Sequence, residues 1–386
     1  MYMQTSSQQR LEKLLQKEHL RILVVIRDHM SGLLYGVPSL RALRNNFPTA
    51  EITLLANHFA LPILAGCPYV DKTIPFYRFH EQVGWYDRVE SFVDRTEALL
   101  KLYNRIDLVI HLRYVGSKTL RFAKMLGDPF QVGYSQGEYD ELLDLNLGED
   151  DESLDSRTRN AKILATIGIE VDSHEMELWI PQAEIEYMTG WLYSHGWNEE
   201  ELLFVFHPGC HWGCNEWLVE RWIALGNELA QEWGGRIVLT GTIRERPLAE
   251  KIACWMAVPP LIATGETTLL QFAALLQKAT AVISVDTSPT QICQALKKPA
   301  VILMGAGNLA WNGPLPGEPM IMLQKLTAEE NRVEYCDFGS GICHHASCES
   351  RLKNIQVQEV ILALEKVLAD HRINPFIPEP LRLPFP

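Results

Sequence analysis

AVISVDTSPTQICQALKKPAVILMGAGNLAWNGP, residues 281–314, reads as a strand, a helix and a second strand with almost nothing between them. AVISV is a short apolar, β-branched run. Asp286, Thr287 and Ser288 follow as N-cap candidates, with Pro289 in the first helical turn. The helix, from Pro289 to Leu296, stops at Lys297-Lys298-Pro299, because the residue before a proline is pushed out of the helical region. AVILMG then follows as a second buried strand, which makes the whole a βαβ unit. In an open α/β sheet, ligands bind beyond the carboxyl ends of the strands, where a helix N-terminus offers unpaired N–H groups and about half a positive charge. An anion, a phosphate first of all, fits over Thr287 to Thr290, and the glycines of GAGN let a backbone approach the same ligand. A purely structural helix cap would account for the same residues.

Working outward, strands and helices alternate in both directions. Upstream come RILVVI (21–26), a loop, and a helix near Val37 with Pro38 in its first turn. EITLLA (51–56), a helix over HFALPILAG, a strand around VDKTIPF, a helix over 92–103, IDLVIHL (106–112), a helix over 117–126 and the strand QVGY continue the pattern. Residues 138–155, EYDELLDLNLGEDDESLD, read as a solvated acidic loop. After a helix over 156–168 and a linker, LLFVFHPG (202–209) opens a second series, with RIVLTG, LIATG and the quoted unit as its further strands. The spacing predicts two parallel, doubly wound sheets. The expected divisions are an N-terminal Rossmann-like domain over 1–180, a second over 181–355, and a helix with a Pro-rich tail over 356–386.

A chain of 386 residues suits about two domains, and 47% apolar with 22% charged residues is the balance of a globular protein with substantial cores. The net charge of −13, with no cluster of Lys and Arg, argues against nucleic acid as a partner. No apolar run approaches the ~20 residues of a membrane span, and the first residues are polar and amphipathic, so the expected location is cytoplasmic. Eight cysteines in this length are no disulfide framework. Cys336, Cys343 and Cys348, with His344 and His345 beside them, are close enough to hold a structural zinc or iron, or to remain thiols; their spacing is not that of a zinc ribbon. Cys210-His211-Trp212-Gly213-Cys214 is a second such group.

Four segments carry a resemblance: RILVVIRDHMSGLLYGVPSLRALRNNFPTAEITLL with the later PYVD, HPGCHWGCNEWLVERW, VLTGTIRER, and the quoted unit. In this order and at this spacing the chain resembles glycosyltransferase family 9, the ADP-heptose:lipopolysaccharide heptosyltransferase-like enzymes. The resemblance implies a GT-B fold, with two Rossmann-like domains facing a central cleft, the first taking the acceptor and the second the nucleotide-sugar. It also implies inverting transfer of a sugar, a heptose among the candidates, from a nucleotide diphosphate donor to an acceptor hydroxyl. No cofactor is required. The acceptor is left open between a lipopolysaccharide core, a protein and a small molecule, and a lipid acceptor would bring the chain to the inner membrane as a peripheral protein. The chemistry suits the residues, since a diphosphate leaving group is stabilised by helix N-termini and an alcohol nucleophile needs a general base.

Several positions depart from the family. Where it carries Gly-Asp, with the Asp as base, this chain has Ser31 and Gly32, so the base falls to Asp28 or His29 in the same loop. Ser31, Gly32 and Arg113 remain the acceptor-side residues. Its Lys-Arg-Trp becomes Asn215-Glu216-Trp217, and its Asp-Ser/Thr-Gly-x-x-His becomes Asp286 to Gln291, which removes a Lys and a His, and their charge-assisted hydrogen bonds, from the phosphate site. Donor binding is assigned to His207, Gly209, Asn215 and Thr240 on one side, and to Asp286, Thr287, Ser288, Gln291 and Gly305 on the other. His207 and His111, at strand ends, have hydrogen-bonded structural roles as the simpler reading. The competing reading of the whole is a GT-B protein that kept the fold, lost the chemistry and serves as a binding or assembly partner.

Overall fold

The computed structural model of the chain describes residues 5–26, 30–76, 96–114, 117–134, 140–148, 151, 153–210, 216–305, 307–325 and 352–371. The chain divides into two compact units, Met1–Trp179 and Ile180–Pro386.

The first unit is built on β1 (Arg21–Ile26), β2 (Glu51–Asn57), β3 (Lys72–Phe76), β4 (Leu108–Tyr114), β5 (Phe130–Tyr134) and β6 (Leu145–Asn146), parallel and in the order β3-β2-β1-β4-β5-β6. Its helices are α1 (Thr5–Leu15), α2 (Met30–Asn46), α3 (96–102), α4 (Ser117–Lys124) and α5 (Ser156–Ala165). Continuous apolar runs form the central strands because helices cover both faces. Leu23, Val25, Leu55 and Val109 pack against Leu102 and Ile106, at and after the end of α3, and against Ala123 and Leu126, at and after the end of α4. Asp155 caps α5, accepting from the backbone N–H groups of Arg157 and Thr158. α5 is tied to α2 by Asn160, whose Nδ2 donates to the Tyr35 carbonyl at 3.1 Å, and by the Arg157 guanidinium, 5.7 Å from the Tyr35 ring centroid.

Three expectations are corrected in this unit. α2 begins at Met30, so Pro38 lies in its interior rather than its first turn. The run Leu33, Leu34, Tyr35, Val37 is buried and carries the helix through the proline, at the expense of one backbone hydrogen bond. The helix expected over 58–66 is only a 3₁₀ turn, Leu61–Leu64, with Pro62 at its start. The acidic stretch is not a plain solvated loop. Leu143 and Leu145 are buried, the latter in β6, while Asp144 accepts from the Gln131 N–H at 2.9 Å and pairs with Arg10 at 2.8 Å. Alternating leucines give it a buried side that the charge pattern conceals.

The second unit carries β7 (Leu203–His207), β8 (Arg236–Leu239), β9 (Leu261–Ile262), β10 (Ala281–Val285), β11 (Ala300–Met304) and β12 (Met320–Gln324), again parallel, in the order β12-β11-β10-β7-β8-β9. Around them lie α6 (Gln182–Ser194), α7 (Val219–Gln231), α8 (Arg246–Trp255), α9 (Leu269–Lys278), α10 (Pro289–Leu296), α11 (Leu309–Asn312) and α12 (Val357–Asp370). Phe204 and Phe206 meet Trp222 and Trp233 in its core, where each fully buried large side chain contributes about 1.5–3 kcal/mol. Trp217 joins the same core and donates from Nε1 to the Ile355 carbonyl at 3.0 Å, anchoring the segment that leads into α12.

Both sheets have the same winding. In each, the first and fourth strands are central neighbours, and the chain travels away from them in opposite directions. The order therefore reverses between β1 and β4 in one unit and between β7 and β10 in the other, and in open α/β sheets ligands bind beyond the carboxyl ends at such a reversal.

Candidate functional site

In the second unit, three segments leave the sheet side by side at this reversal. β10 pairs with β7 so that Ser284 lies opposite His207, and β7 pairs with β8 so that Phe206 lies opposite Leu239. The loops beginning at Gly209, Gly241 and Asp286 thus start at one level of the sheet.

His207 closes β7 and is buried. Thr240 Oγ1 donates to the Phe206 carbonyl at 2.9 Å and lies 3.0 Å from His207 Nδ1. The hydroxyl's only proton is already used, so Nδ1 carries the imidazole proton and Nε2 keeps its lone pair. Burial holds the His207 pKa well below its ordinary value, against the opposing pull of the Glu245 carboxylate. The ring is neutral at physiological pH and acts as a fixed polar wall.

Glu245 ends the 3₁₀ turn Ile243–Glu245 and closes a capping box with Thr242. Gly209 and Gly241 both face it. A Cβ on Gly209 would fall 2.5 Å from Glu245 Cδ, and one on Gly241 would fall 2.8 Å from Oε2. The carboxylate therefore occupies space that any larger residue at 209 would take. Arg246, next along, holds the neighbouring loop by donating to the Thr264 carbonyl at 3.0 Å and to Glu266 at 2.8 Å.

Across the site stands Asp286, half-buried, its carboxyl pushed up to about 6 by loss of water. Gly307 packs against it so closely that a Cβ there would lie 2.7 Å from Oδ2. The loop bearing Gly305 and Gly307 is held from β12: Gln324 Nε2 donates to the Gly305 carbonyl at 2.8 Å and to that of Gly307 at 3.0 Å. α10 starts at Pro289 with Ser288 as its N-cap, and the Ser288 side chain makes no capping bond. Ser288 is exposed, Thr287 is half-buried and Gln291 is buried. Thr290, wholly buried, has a hydroxyl with no hydrogen-bond partner among the described residues. Helix N-terminus, hydroxyls and glycine backbone together suit an anion, while Glu245 and Asp286 accept hydrogen bonds from hydroxyl donors.

Of the residues singled out in the sequence, His207, Gly209, Thr240, Asp286, Thr287, Ser288, Gln291 and Gly305 all lie at the carboxyl ends of this sheet. Ser31 and Gly32 lie in the first turn of α2, directly after β1, and Arg113 is in β4, at the corresponding reversal of the first unit. Asp28, His29, Asn215, Cys336, Cys343 and Cys348 lie outside the described residues, as do His211, Trp212 and the Arg113 side chain. Among the described residues, no three His, Cys, Asp or Glu side chains are grouped to hold a metal. His111 is buried with Nε2 3.0 Å from Gln131 Oε1, a structural position. Sequence reasoning missed Glu245, which the pattern Thr242-x-x-Glu245 after a strand could have flagged as a capping box. It also missed Gln324, for which no signal existed while β12 went unrecognised.

Two six-stranded Rossmann-type sheets in one chain, the second with an anion-suited site at its strand-order reversal, define the GT-B class of fold. The family model of "Glycosyltransferase family 9 (heptosyltransferase)" matches residues 158–340. The chain is 23% identical over 285 residues to lipopolysaccharide heptosyltransferase 3 of Escherichia coli, a match spanning 71% of this chain and 80% of that protein. Among solved structures, a family 9 glycosyl transferase from Veillonella parvula superposes with a TM-score of 0.77 at 20% identity, over 91% of this chain and 98% of the other. E. coli ADP-heptose lipopolysaccharide heptosyltransferase II gives 0.70 at 20% identity, over 92% and 100%. An E. coli heptosyltransferase determined with ADP gives 0.67 at 17%, over 90% and 100%. Residues 158–340 thus match glycosyltransferase family 9, and the chain is similar to heptosyltransferases over most of its length.

Proposed function

We propose that the chain transfers a heptose from an ADP-linked donor to a hydroxyl of a lipopolysaccharide-core acceptor, with inversion at the anomeric carbon. The observation that carries this is the convergence, at one end of the second sheet, of a helix N-terminus, a close-packed glycine loop and two hydroxyl-accepting carboxylates. The nucleotide diphosphate lies over Thr287 to Thr290, its charge met by the α10 N-terminus and by backbone N–H groups. That arrangement stabilises the leaving diphosphate as the glycosidic bond breaks, and it needs no metal. Glu245 and Asp286 accept from ribose or sugar hydroxyls, and Gly209 and Gly307 leave room for both carboxylates.

The first unit takes the acceptor. Asp28 or His29 removes the proton of the attacking hydroxyl, while Ser31, Gly32 and Arg113 bind the rest of the acceptor. Only a group within hydrogen-bond reach of that hydroxyl can serve as base, and the reading is supported by the end of β1 and the start of α2, which lie on either side of these two residues in the sequence and stand at the strand-order reversal. The chain acts in the cytoplasm, and a lipid-borne acceptor brings it to the inner face of the membrane. Cys336, Cys343 and Cys348 are the candidate ligands of a structural zinc or iron that takes no part in the transfer.

The test is turnover. Purified protein is given ADP-heptose with lipopolysaccharide-core, protein or small-molecule acceptors, and ADP release is followed together with the mass of each acceptor. A gain of one heptose on the core acceptor alone is expected, and a gain only on a protein or small molecule would reassign the acceptor. If no acceptor gains mass and no ADP forms, the transfer reading is wrong. Metal analysis of protein prepared without chelator settles the cysteine loop: zinc or iron near one equivalent supports the ligand assignment, and both far below it remove it.

A further inference from the structure

Phe59 is 78% exposed, more than any other large apolar side chain among the described residues. Its place is fixed. β2 ends at Asn57, which turns the chain: its Oδ1 accepts from the Phe59 N–H at 3.1 Å, and its carbonyl accepts from the Ala60 N–H at 3.0 Å. Just beyond, Ala60, Ile63 and Leu64 are buried, and the 3₁₀ turn Leu61–Leu64 packs against α2. The Phe59 ring lies against the His58 imidazole, with centroids 3.5 Å apart. A strand on one side and a buried turn on the other thus hold this ring out from the protein.

The ring also stands at the end of the sheet that matters. β1 and β2 are paired in parallel with Ile26 opposite Ala56, so the two strands end at one level, and Phe59 comes three residues after Ala56. β1 borders the strand-order reversal, and Ser31 and Gly32 follow it in the first turn of α2. A single exposed apolar side chain usually needs no account. This one sits where open α/β sheets take their ligands, on a turn that Ser, Asn or Gly would form as well, so neither turn nor core calls for phenylalanine. A phenyl ring brings no charge and no N–H or O–H donor, which makes it a poor partner for a phosphate. What it offers is a flat apolar face whose negative centre attracts the positive ends of C–H bonds.

We propose that Phe59 is a specificity residue for the acceptor, its ring stacking on the apolar C–H face of the acceptor sugar. A pyranose presents several C–H bonds on one face while its hydroxyls spread outward from the rim, so stacking holds the ring and leaves a hydroxyl free to react. A serine or threonine of a protein acceptor has no such face. The inference rests on the transferase reading for the nature of the ligand and deepens it, selecting a saccharide over a protein as acceptor.

The experiment reads binding and turnover separately. Lipid-free lipopolysaccharide-core oligosaccharide is titrated calorimetrically, without donor, into the parent, Phe59→Ala, Phe59→Tyr and Trp255→Ala, the last removing a similarly exposed ring on α8 of the other unit. Steady-state transfer from ADP-heptose to the same oligosaccharide is then followed. Phe59→Ala should bind the oligosaccharide about tenfold more weakly and raise its KM about as much, with kcat and the KM for ADP-heptose close to the parent's. Phe59→Tyr and Trp255→Ala should behave as the parent. Unchanged thermal midpoints show that the variants fold. Equal binding by the parent and folded Phe59→Ala overturns this inference alone, whereas Phe59-dependent binding with no transfer to any acceptor supports it and overturns the transferase reading. No binding by the parent, a change in kcat or in the donor KM in place of the acceptor KM, or an equal loss in Trp255→Ala also overturns it.

Discussion

Asp286 is the residue whose chemistry and stability pull in opposite directions. Its carboxyl titrates near 6 in the folded chain, above the ordinary 3.8, because it has lost water without gaining an ion-pair partner among the described residues. The folded state then holds a proton that the unfolded chain releases earlier. The stability this gives is fully present below about pH 4 and is lost as pH rises through about 6. Asp286→Asn should therefore be more stable than the parent at pH 7.5, by on the order of 1–2 kcal/mol since the residue is only half-buried, and the gap should close near pH 4. Thermal melts of both proteins across that range check it; a gap that does not change with pH would contradict it. The same variant should lose nucleotide affinity, the usual conflict at a working site. Gln324→Ala removes two hydrogen bonds that hold the Gly305–Gly307 loop, and the expected result is about tenfold weaker nucleotide binding with the fold intact, read by calorimetry. Asp286 was legible in the sequence because it follows a buried strand and precedes a helix start. Gln324 was not, since a half-buried glutamine at the end of an unrecognised strand looks like surface.

At the scale of the element, the quoted strand–helix–strand unit stands as read, with β10, α10 and β11 within a residue of the expected bounds. Apolar β-branched runs bounded by Asp-Thr-Ser-Pro and Lys-Lys-Pro leave little freedom in such a stretch. α2 was misjudged, because a proline inside a buried helix is tolerated when packing outweighs one missing backbone bond. β6 was missed because two residues are too few to show a period, whereas β12, MIMLQ, is an apolar run that the reading passed over between the Pro/Gly-rich stretch before it and the polar residues after it. α5 offers the sharpest test at this level. Asp155 caps it and also pairs with the buried Arg157 at 3.2 Å, so Asp155→Ala should cost about 2–4 kcal/mol, more than a cap alone. The Asp155 carboxyl sits below its ordinary range, through hydrogen bonds from Thr158 and the Arg157 charge that outweigh its burial, so this stabilisation should fade as pH falls below about 4. Urea denaturation at neutral and acid pH checks both points; an equal loss at the two would contradict the assignment.

For the whole molecule, one winding is used twice, and each unit has its strand-order reversal between its first and fourth strands. The alternation of strands and helices made the two sheets readable from sequence, because a parallel sheet covered on both faces must be written in near-continuous apolar strands. The candidate site was only partly readable. His207, Gly209, Thr240 and Asp286 stand at strand ends that sequence can place, whereas Glu245 reaches the site through a capping turn whose direction no pattern reveals. The central claim, a nucleoside diphosphate held at the β7–β10 reversal of the second unit, is tested most directly by calorimetric titration of ADP, GDP and UDP into the parent chain and into Gly209→Ala, whose added Cβ would displace Glu245. The account predicts that ADP binds the parent in the micromolar range and binds the variant at least about tenfold more weakly. If none of the three nucleotides binds at millimolar concentration, or if ADP binds the parent and the folded variant equally, the donor site is not where this geometry puts it.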